Sequence, residues 1–324
     1  SQPHSALCRD KMAGCFGTTT TASGTSPVVC SNAVELMRTS PVAVVDLGSS
    51  KVVCLVAQHD EKGKLKVLGV AGAQCKGMRR GSLADVEETS QALDSACREA
   101  QEKSGVPIKS IVIGVGGQHL DCINGQGFIP IFPKSRAITR EDVLQVINHS
   151  RQIMIPPDQE QIQALPREFR VDGQRGIQKP IGMSGSKLEV TTFVVLGSIN
   201  YIQNLEKMVG MAGRDIESMV YQPLATGLGV LRQEDIDLGC AVVDIGAGTT
   251  DIAVFSAGSL AFGASLPVGA GLVTSDISKL LKTSIDEAEV LKIENGSALA
   301  RMAQDNESVQ VLQLGQTHER PMQR

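Results

Sequence analysis

The same order of elements is written twice in this chain, and each copy opens on an apolar run broken by a turn of small polar residues. The first turn lies in VVDLGSSKVVCLV, Val44 to Val56, and the second in VVDIGAGTTDIAVF, Val242 to Phe255. Each interrupts a good strand pattern at an Asp-x-Gly and is followed by two strand-like runs and an amphipathic helix. Repetition on this scale points to internal symmetry, and two α/β lobes facing one another are its simplest form. At 324 residues the chain has room for both.

In the first copy, strand, glycine turn, strand, a polar turn around Glu61 to Lys64 and a third strand precede GSLADVEETSQALDSACREAQEKSG. There Ser82 and Asp85 have capping-box spacing, Leu93, Ala96, Cys97 and Ala100 share one helical face, and Gly105 is a natural stop. A strand, IKSIVIGVGG, follows. Between about Gln118 and Lys187 the texture changes: one helix, TREDVLQVINHSRQI, lies among proline-rich turns and short strands, which predicts a small inserted α+β unit. The pattern then resumes with the strand KLEVTTFVVLGS, a helix burying Ile202, Leu205, Met208 and Val209, and QPLATGLGVLR, whose Pro223 suits a first helical turn. From Asp237 the second copy runs to the helix LVTSDISKLLKT, and the closing segment begins as a helix and becomes polar. The expected division is therefore 1–40 as a disordered Ser/Thr/Gly-rich extension, 41–117 and 188–236 as the first lobe, 118–187 as the insert, and 237–324 as the second lobe. The natural start is expected at Met12 or Met37.

Composition narrows the function classes. A net charge of −4 with no Trp and two Tyr supplies neither a basic stripe nor stacking platforms, so no nucleic-acid partner is expected. Apolar runs are strand length, far below the ~20 residues that cross a bilayer. The eight cysteines form no CxxC; Cys54 and Cys240 sit in or beside strand patterns as small hydrophobes, which fits a reducing, cytoplasmic setting. His4, His59, His119, His149 and His318 stand in no nucleophile or metal motif, which argues against a triad hydrolase.

The turns carry the chemistry. A tight turn with Gly at its apex exposes consecutive backbone N–H groups in a nest that suits phosphate oxygens. Ser49, Ser50, Thr249 and Thr250 add hydroxyl donors without bulk. Asp46 and Asp244 repel phosphate unless a cation lies between, and magnesium is held by one or two carboxylates plus phosphates and water. Lys51 offsets phosphate charge in this reading; in the plainer one it is an exposed strand lysine. Asp-Gly hairpins are common in β structure. Two of them leading the same element order make a clamp on a polyphosphate the stronger reading.

These turns resemble the phosphate motifs of the actin-like ATPase superfamily, and within it the chain resembles the FtsA family of bacterial cell-division proteins over about Pro41 to Asp305. ALPREFRVDGQRGIQKPIGMSGSKLEV, Ala164 to Val190, is similar to the stretch closing that family's inserted subdomain, YQPLATGLGVL to its connecting helix, and LPVGAGLVTSDIS to its second-lobe turn. The resemblance implies an actin-like (ribonuclease H-like) two-lobed α/β fold with the insert in the first lobe. It implies ATP and Mg2+ as ligands, held by Asp46, Gly48, Ser49, Ser50 and Lys51 on one side and Asp244, Gly246, Ala247, Gly248, Thr249 and Thr250 on the other. Gly269 and Gly271 would bring backbone near the nucleotide, and Glu289 and Lys292 fall where relatives contact ribose and adenine, with an intrahelical ion pair as the alternative. Gln222 is placed to orient a hydrolytic water, or is a plain polar residue at a helix start.

The family's late Gly-Gly adenosine turn and its C-terminal amphipathic helix have no counterpart before Arg324, so the second lobe is expected to be incomplete, with an open sheet edge. The implied function is an ATP-binding protein that self-associates and tethers a tubulin-like division ring (FtsZ) to the inner face of the cytoplasmic membrane. Hydrolysis is expected to be slow, since no strong general base is evident. Alternatives are a pilus-assembly adaptor of the PilM type and a small-molecule kinase on the same fold, the latter needing an acceptor cleft that no residue nominates. The insert is the expected contact surface, and its removal is expected to spare ATP binding and abolish self-association.

Overall fold

β1 (Val42–Leu47), β2 (Lys51–His59) and β3 (Leu65–Gln74) form an antiparallel meander, and β4 (Met78–Arg79) and β5 (Ser82–Leu83) close a two-residue hairpin around Arg80 and Gly81. The computed structural model describes residues 40–60, 62–299, 301, 308–316 and 320–323; the expected disordered extension, Ser40 apart, lies outside them. α1 (Val86–Ser104) presents Leu93, Ala96, Cys97 and Ala100, all fully buried, to the meander's Val45, Val52, Cys54 and Val56. Its N-cap is Asp85, whose carboxylate accepts the Glu88 N–H at 3.0 Å. The expected Ser82 cap does not form, because Ser82 pairs with Arg79 in the hairpin. Gly105 ends the helix with φ +68°, as its lack of Cβ allows. β6 (Ser110–Val115) then returns parallel to β1.

The insert is built on β7 (Leu120–Pro130), α2 (Arg140–Ser150), β8 (Gln159–Val171), β9 (Gln174–Ile177) and β10 (Lys187–Ser198), in the antiparallel sheet order β7-β10-β8-β9. α2 starts at a capping box between Thr139 and Asp142 and covers Ile129, Ile138, Val146, Phe169 and Leu188. The Arg136 guanidinium grips Asp142 at 2.6 and 2.8 Å and holds its carboxyl well below the usual range. β8 runs through Pro166 at a register shift that leaves Arg167 without a Cα partner, so runs that read as short strands are one long one. β10 was expected to resume the first lobe. Over its whole length it lies between β7 and β8 instead.

α3 (Ile199–Met211) buries Ile202, Leu205, Met208 and Val209 against the first-lobe core. β11 (Asp215–Tyr221) completes the sheet order β11-β6-β1-β2-β3 and leads straight into α4 (Gln222–Val230), then α5 (Gln233–Leu238). The second meander is β12 (Cys240–Ile245), β13 (Thr250–Ser256) and β14 (Ser259–Leu266), followed by α6 (Gly271–Leu281) and α7 (Ile285–Asn295). The closing segment, polar in sequence, also holds the strand pair β15 (Ser308–Val311) and β16 (Arg320–Gln323). The second meander's inward face packs Ala253, Phe255 and Leu260 on Leu165, Phe193 and Val195 of the insert and on Tyr221 and Leu224. The insert is thus cemented to the second lobe as well as joined to the first. Cys54, Cys75 and Cys97 are buried free thiols. His119, stacked on Tyr201, is pushed down to about 4 by burial and stays neutral near pH 7. Among the described residues no helix is long and apolar enough to cross a membrane.

Candidate functional site

The two Asp-x-Gly turns share one construction. Gly48 N–H donates to Lys51 O at 3.0 Å, and Gly246 N–H donates to Thr249 O at 2.8 Å. In each case the donor is the glycine two residues after the aspartate and the acceptor lies three further on, so a four-residue turn is closed identically in both lobes. Each aspartate is the last residue but one of its strand, Asp46 facing Val53 in the ladder and Asp244 facing Asp251.

One helix holds both. At the start of α4 the Gln222 amide donates to Asp46 Oδ1 at 2.5 Å, and one turn later the Thr226 hydroxyl donates to Asp244 Oδ2 at 3.2 Å. Gln222 fits there because the residue after β6 is glycine: a Cβ on Gly116 would lie 2.6 Å from its Oε1. Desolvation in the crevice, and after it the charge of Asp244, raises the Asp46 carboxyl above its ordinary value, while Lys51 opposes the shift. Asp251 is raised too, chiefly by desolvation, against hydrogen bonds that include one from Thr249 at 3.1 Å. The crevice therefore favours the neutral forms of Asp46 and Asp251, and a cation beside them would reverse that.

The turns meet at their tips. A Cβ on Gly248 would run into the Ser49 side chain, and another on Gly81 would lie 2.9 Å from the Thr249 methyl carbon. Ser49 Oγ accepts the Gly81 N–H at 3.2 Å, so the β4–β5 hairpin is a third wall of the crevice. Ser50 contributes its carbonyl, accepting from Cys75 N–H. The Thr250 hydroxyl is spent on Val268 O at 2.7 Å, tying down the loop that carries Gly269 and Gly271. Those two glycines press on the second turn itself: a Cβ on Gly269 would lie 2.5 Å from Gly246 O, and Gly271 N–H donates to Ala247 O at 2.8 Å. Close backbone packing alone accounts for glycine there. Glu289 and Lys292 form an ion pair at 2.6 Å, shared with the buried Thr274. They join the second turn indirectly: the Thr274 hydroxyl lies 3.4 Å from Ala270 O, and the Ala270 N–H donates to Gly246 O at 2.9 Å.

Comparison with known proteins now bears on the arrangement. A family model described as "Cell division protein FtsA" matches residues 241–324, and one described as "SHS2 domain inserted in FTSA" matches residues 117–196. The cell-division protein FtsA of Pseudomonas aeruginosa is 34% identical over 280 residues, covering 86% of this chain and 67% of its own. That of Streptococcus pneumoniae is 38% identical over 272 residues, covering 84% and 59%. The chain belongs to the FtsA family. It spans roughly two thirds or less of the length of these relatives. A solved structure, the "PilM-PilN type IV pilus biogenesis complex", shares the fold at 14% identity, with a TM-score of 0.58 over 78% of this chain and 69% of that one. The fold is the actin-like one that the family resemblance implied, with its α+β insert.

For an FtsA-family chain, sequence reasoning missed Arg80, Gly81, Gly116, Thr226 and Asp251 as parts of the crevice. The signals were present in MRRGS and GVGG, where glycine clusters at element ends, but a helical Thr such as Thr226 announces nothing. Among the described residues no group of three or more His, Cys, Asp or Glu side chains is placed to hold a metal alone. A magnesium ion would need phosphate and water oxygens to complete its shell. The residues fit that demand: two carboxylates from opposite lobes, two backbone turns and a lysine.

Proposed function

We propose that the crevice binds Mg2+ and ATP, with Asp46 and Asp244 holding the metal through water and the two turns holding phosphates. The observation that carries this reading is the tie of both aspartates to one helix, through Gln222 and Thr226. Gln222 is already engaged by Asp46, so water orientation would require that bond to loosen. The tips of the turns touch, so a polyphosphate enters only with the lobes parted, and binding across the gap then favours one relative placement of the lobes. When bound, magnesium supplies the charge that offsets both carboxylates and phosphates.

Family membership supports the wider proposal: a self-associating protein at the inner membrane face that tethers a tubulin-like filament during division. We retain the insert as the contact surface. It carries exposed Phe128, Phe132 and Ile181. Deleting 118–187 is a poor test, because it would strip both neighbours from β10 and uncover Phe255. Phe132→Glu is expected to reduce self-association in sedimentation runs while leaving nucleotide affinity alone; the reverse result would remove the insert from consideration.

The primary test is an equilibrium titration of the chain with ATP and magnesium, beside Asp244→Ala. A loss of at least tenfold in affinity, about 1.4 kcal/mol, is expected. A folded wild-type chain that binds nothing, or a variant that binds equally well, would overturn the reading.

A further inference from the structure

The β4–β5 hairpin anchors Met78 in the first-lobe core and carries its apex to the meeting point of the two Asp-x-Gly turns. A Cβ on Gly248 would lie 3.0 Å from the Arg80 amide nitrogen, and the next residue, Gly81, donates to Ser49. The apex therefore touches both turns: Gly81 bonds to the first and packs beside Thr249 of the second, and Arg80 abuts Gly248. Both apex residues have positive φ, 51° at Arg80 and 78° at Gly81, as a tight hairpin of this hand requires. For a non-glycine residue that backbone costs about 1–2 kcal/mol. Glycine or asparagine would make the same turn with less strain, so the turn alone does not call for arginine.

Charge does. Asp46, Asp244 and Asp251 crowd the crevice, with Lys51 as the cation acting on Asp46. A magnesium triphosphate brings further negative charge to the same place. Arg80, exposed at the rim, is a cation whose backbone abuts the second turn and whose neighbour is bonded to the first. A guanidinium forks onto phosphate oxygens with two parallel hydrogen bonds, which an amide or ammonium cannot match.

We propose that Arg80 is a phosphate-binding residue, delivered by the hairpin to the outermost phosphate between the two turns, and that it sets the preference for triphosphate over diphosphate. The inference rests on the nucleotide reading above. Its test is the equilibrium affinity of the chain for ATP, ADP and AMP with magnesium, for wild type, Arg80→Asn, Arg80→Lys and Arg79→Ala. Asparagine tolerates the left-handed backbone, so the hairpin is kept while the charge is lost. Arg80→Asn is expected to weaken ATP about tenfold or more and ADP less than about threefold, in line with a charged hydrogen bond. Arg80→Lys should recover part of the loss, and Arg79→Ala should match wild type. Wild-type affinity for ATP in Arg80→Asn overturns the inference alone, as does an equal loss for ATP and AMP, which reports a distorted crevice. A wild-type chain that binds no nucleotide brings down the functional reading and this inference together.

Discussion

β1 and β12 lead into turns of the same construction, yet one strand is enclosed and the other is open. β1 is paired on both sides and sends Ala43, Val45 and Leu47 into the first-lobe core. Among the described residues β12 is an edge strand, paired with β13 alone, and Val243 and Ile245 are 55% and 67% exposed. Phe262 and Leu266 on β14 are exposed as well. A local turn thus needs only its glycine and its closing hydrogen bond. How firmly it is held depends on what covers the strands behind it, and in the second lobe that is the inward face, through Phe255.

The comparison breaks most visibly at that phenylalanine. Phe255→Ala is expected to cost about 3–5 kcal/mol in denaturant unfolding, as deletion of a buried ring does. A cost below 1 kcal/mol would mean that the second meander is not held through this cluster. Next comes the matched pair one residue before each aspartate. Val45→Ala should cost about 2 kcal/mol, from two lost methyl groups and the cavity left behind. Val243→Ala should stay within about 0.5 kcal/mol, because its side chain is exposed. Equal costs would erase the difference between the lobes.

The smallest effect concerns the first turn's acid. The folded pKa of Asp46 is raised from 3.8, so its favourable contribution is present below that value and lost as pH rises through the folded pKa. At neutral pH the ionised carboxylate opposes folding of the ligand-free protein. Asp46→Asn should therefore stabilise the ligand-free protein at pH 7 by less than about 1 kcal/mol, since solvent screens a partly exposed group, which a higher melting temperature reports, and should change nothing near pH 3. A lower melting temperature at pH 7 would show that Gln222 and Lys51 outweigh Asp244.

The two meanders, the helical faces of α1 and α3 and the doubled turn could be read from residue pattern, because periodicity and glycine punctuation are local. The sheet that claims β10 could not, since a buried strand of apolar residues is compatible with any neighbour. The same limit hid the unity of β8: Pro166 reads as a break, and only the partner strand shows that a bulge absorbs it. At the site, Asp46, Asp244 and the turn glycines were legible from their own motifs. Thr226 and Asp251 were not, because their part is defined by what stands opposite them.

The spacing of Gln222 and Thr226 has a mechanical consequence. Four residues of helix place the two attachment points about 6 Å apart along one rigid rod. The rod works as a caliper whose jaws are the aspartates of different lobes. A swing of either lobe about α4 must lengthen one jaw's bond before the other's, so the gap between carboxylates is reported as an asymmetry between two hydrogen bonds. A probe on α4 would accordingly read the separation of the lobes without touching either turn.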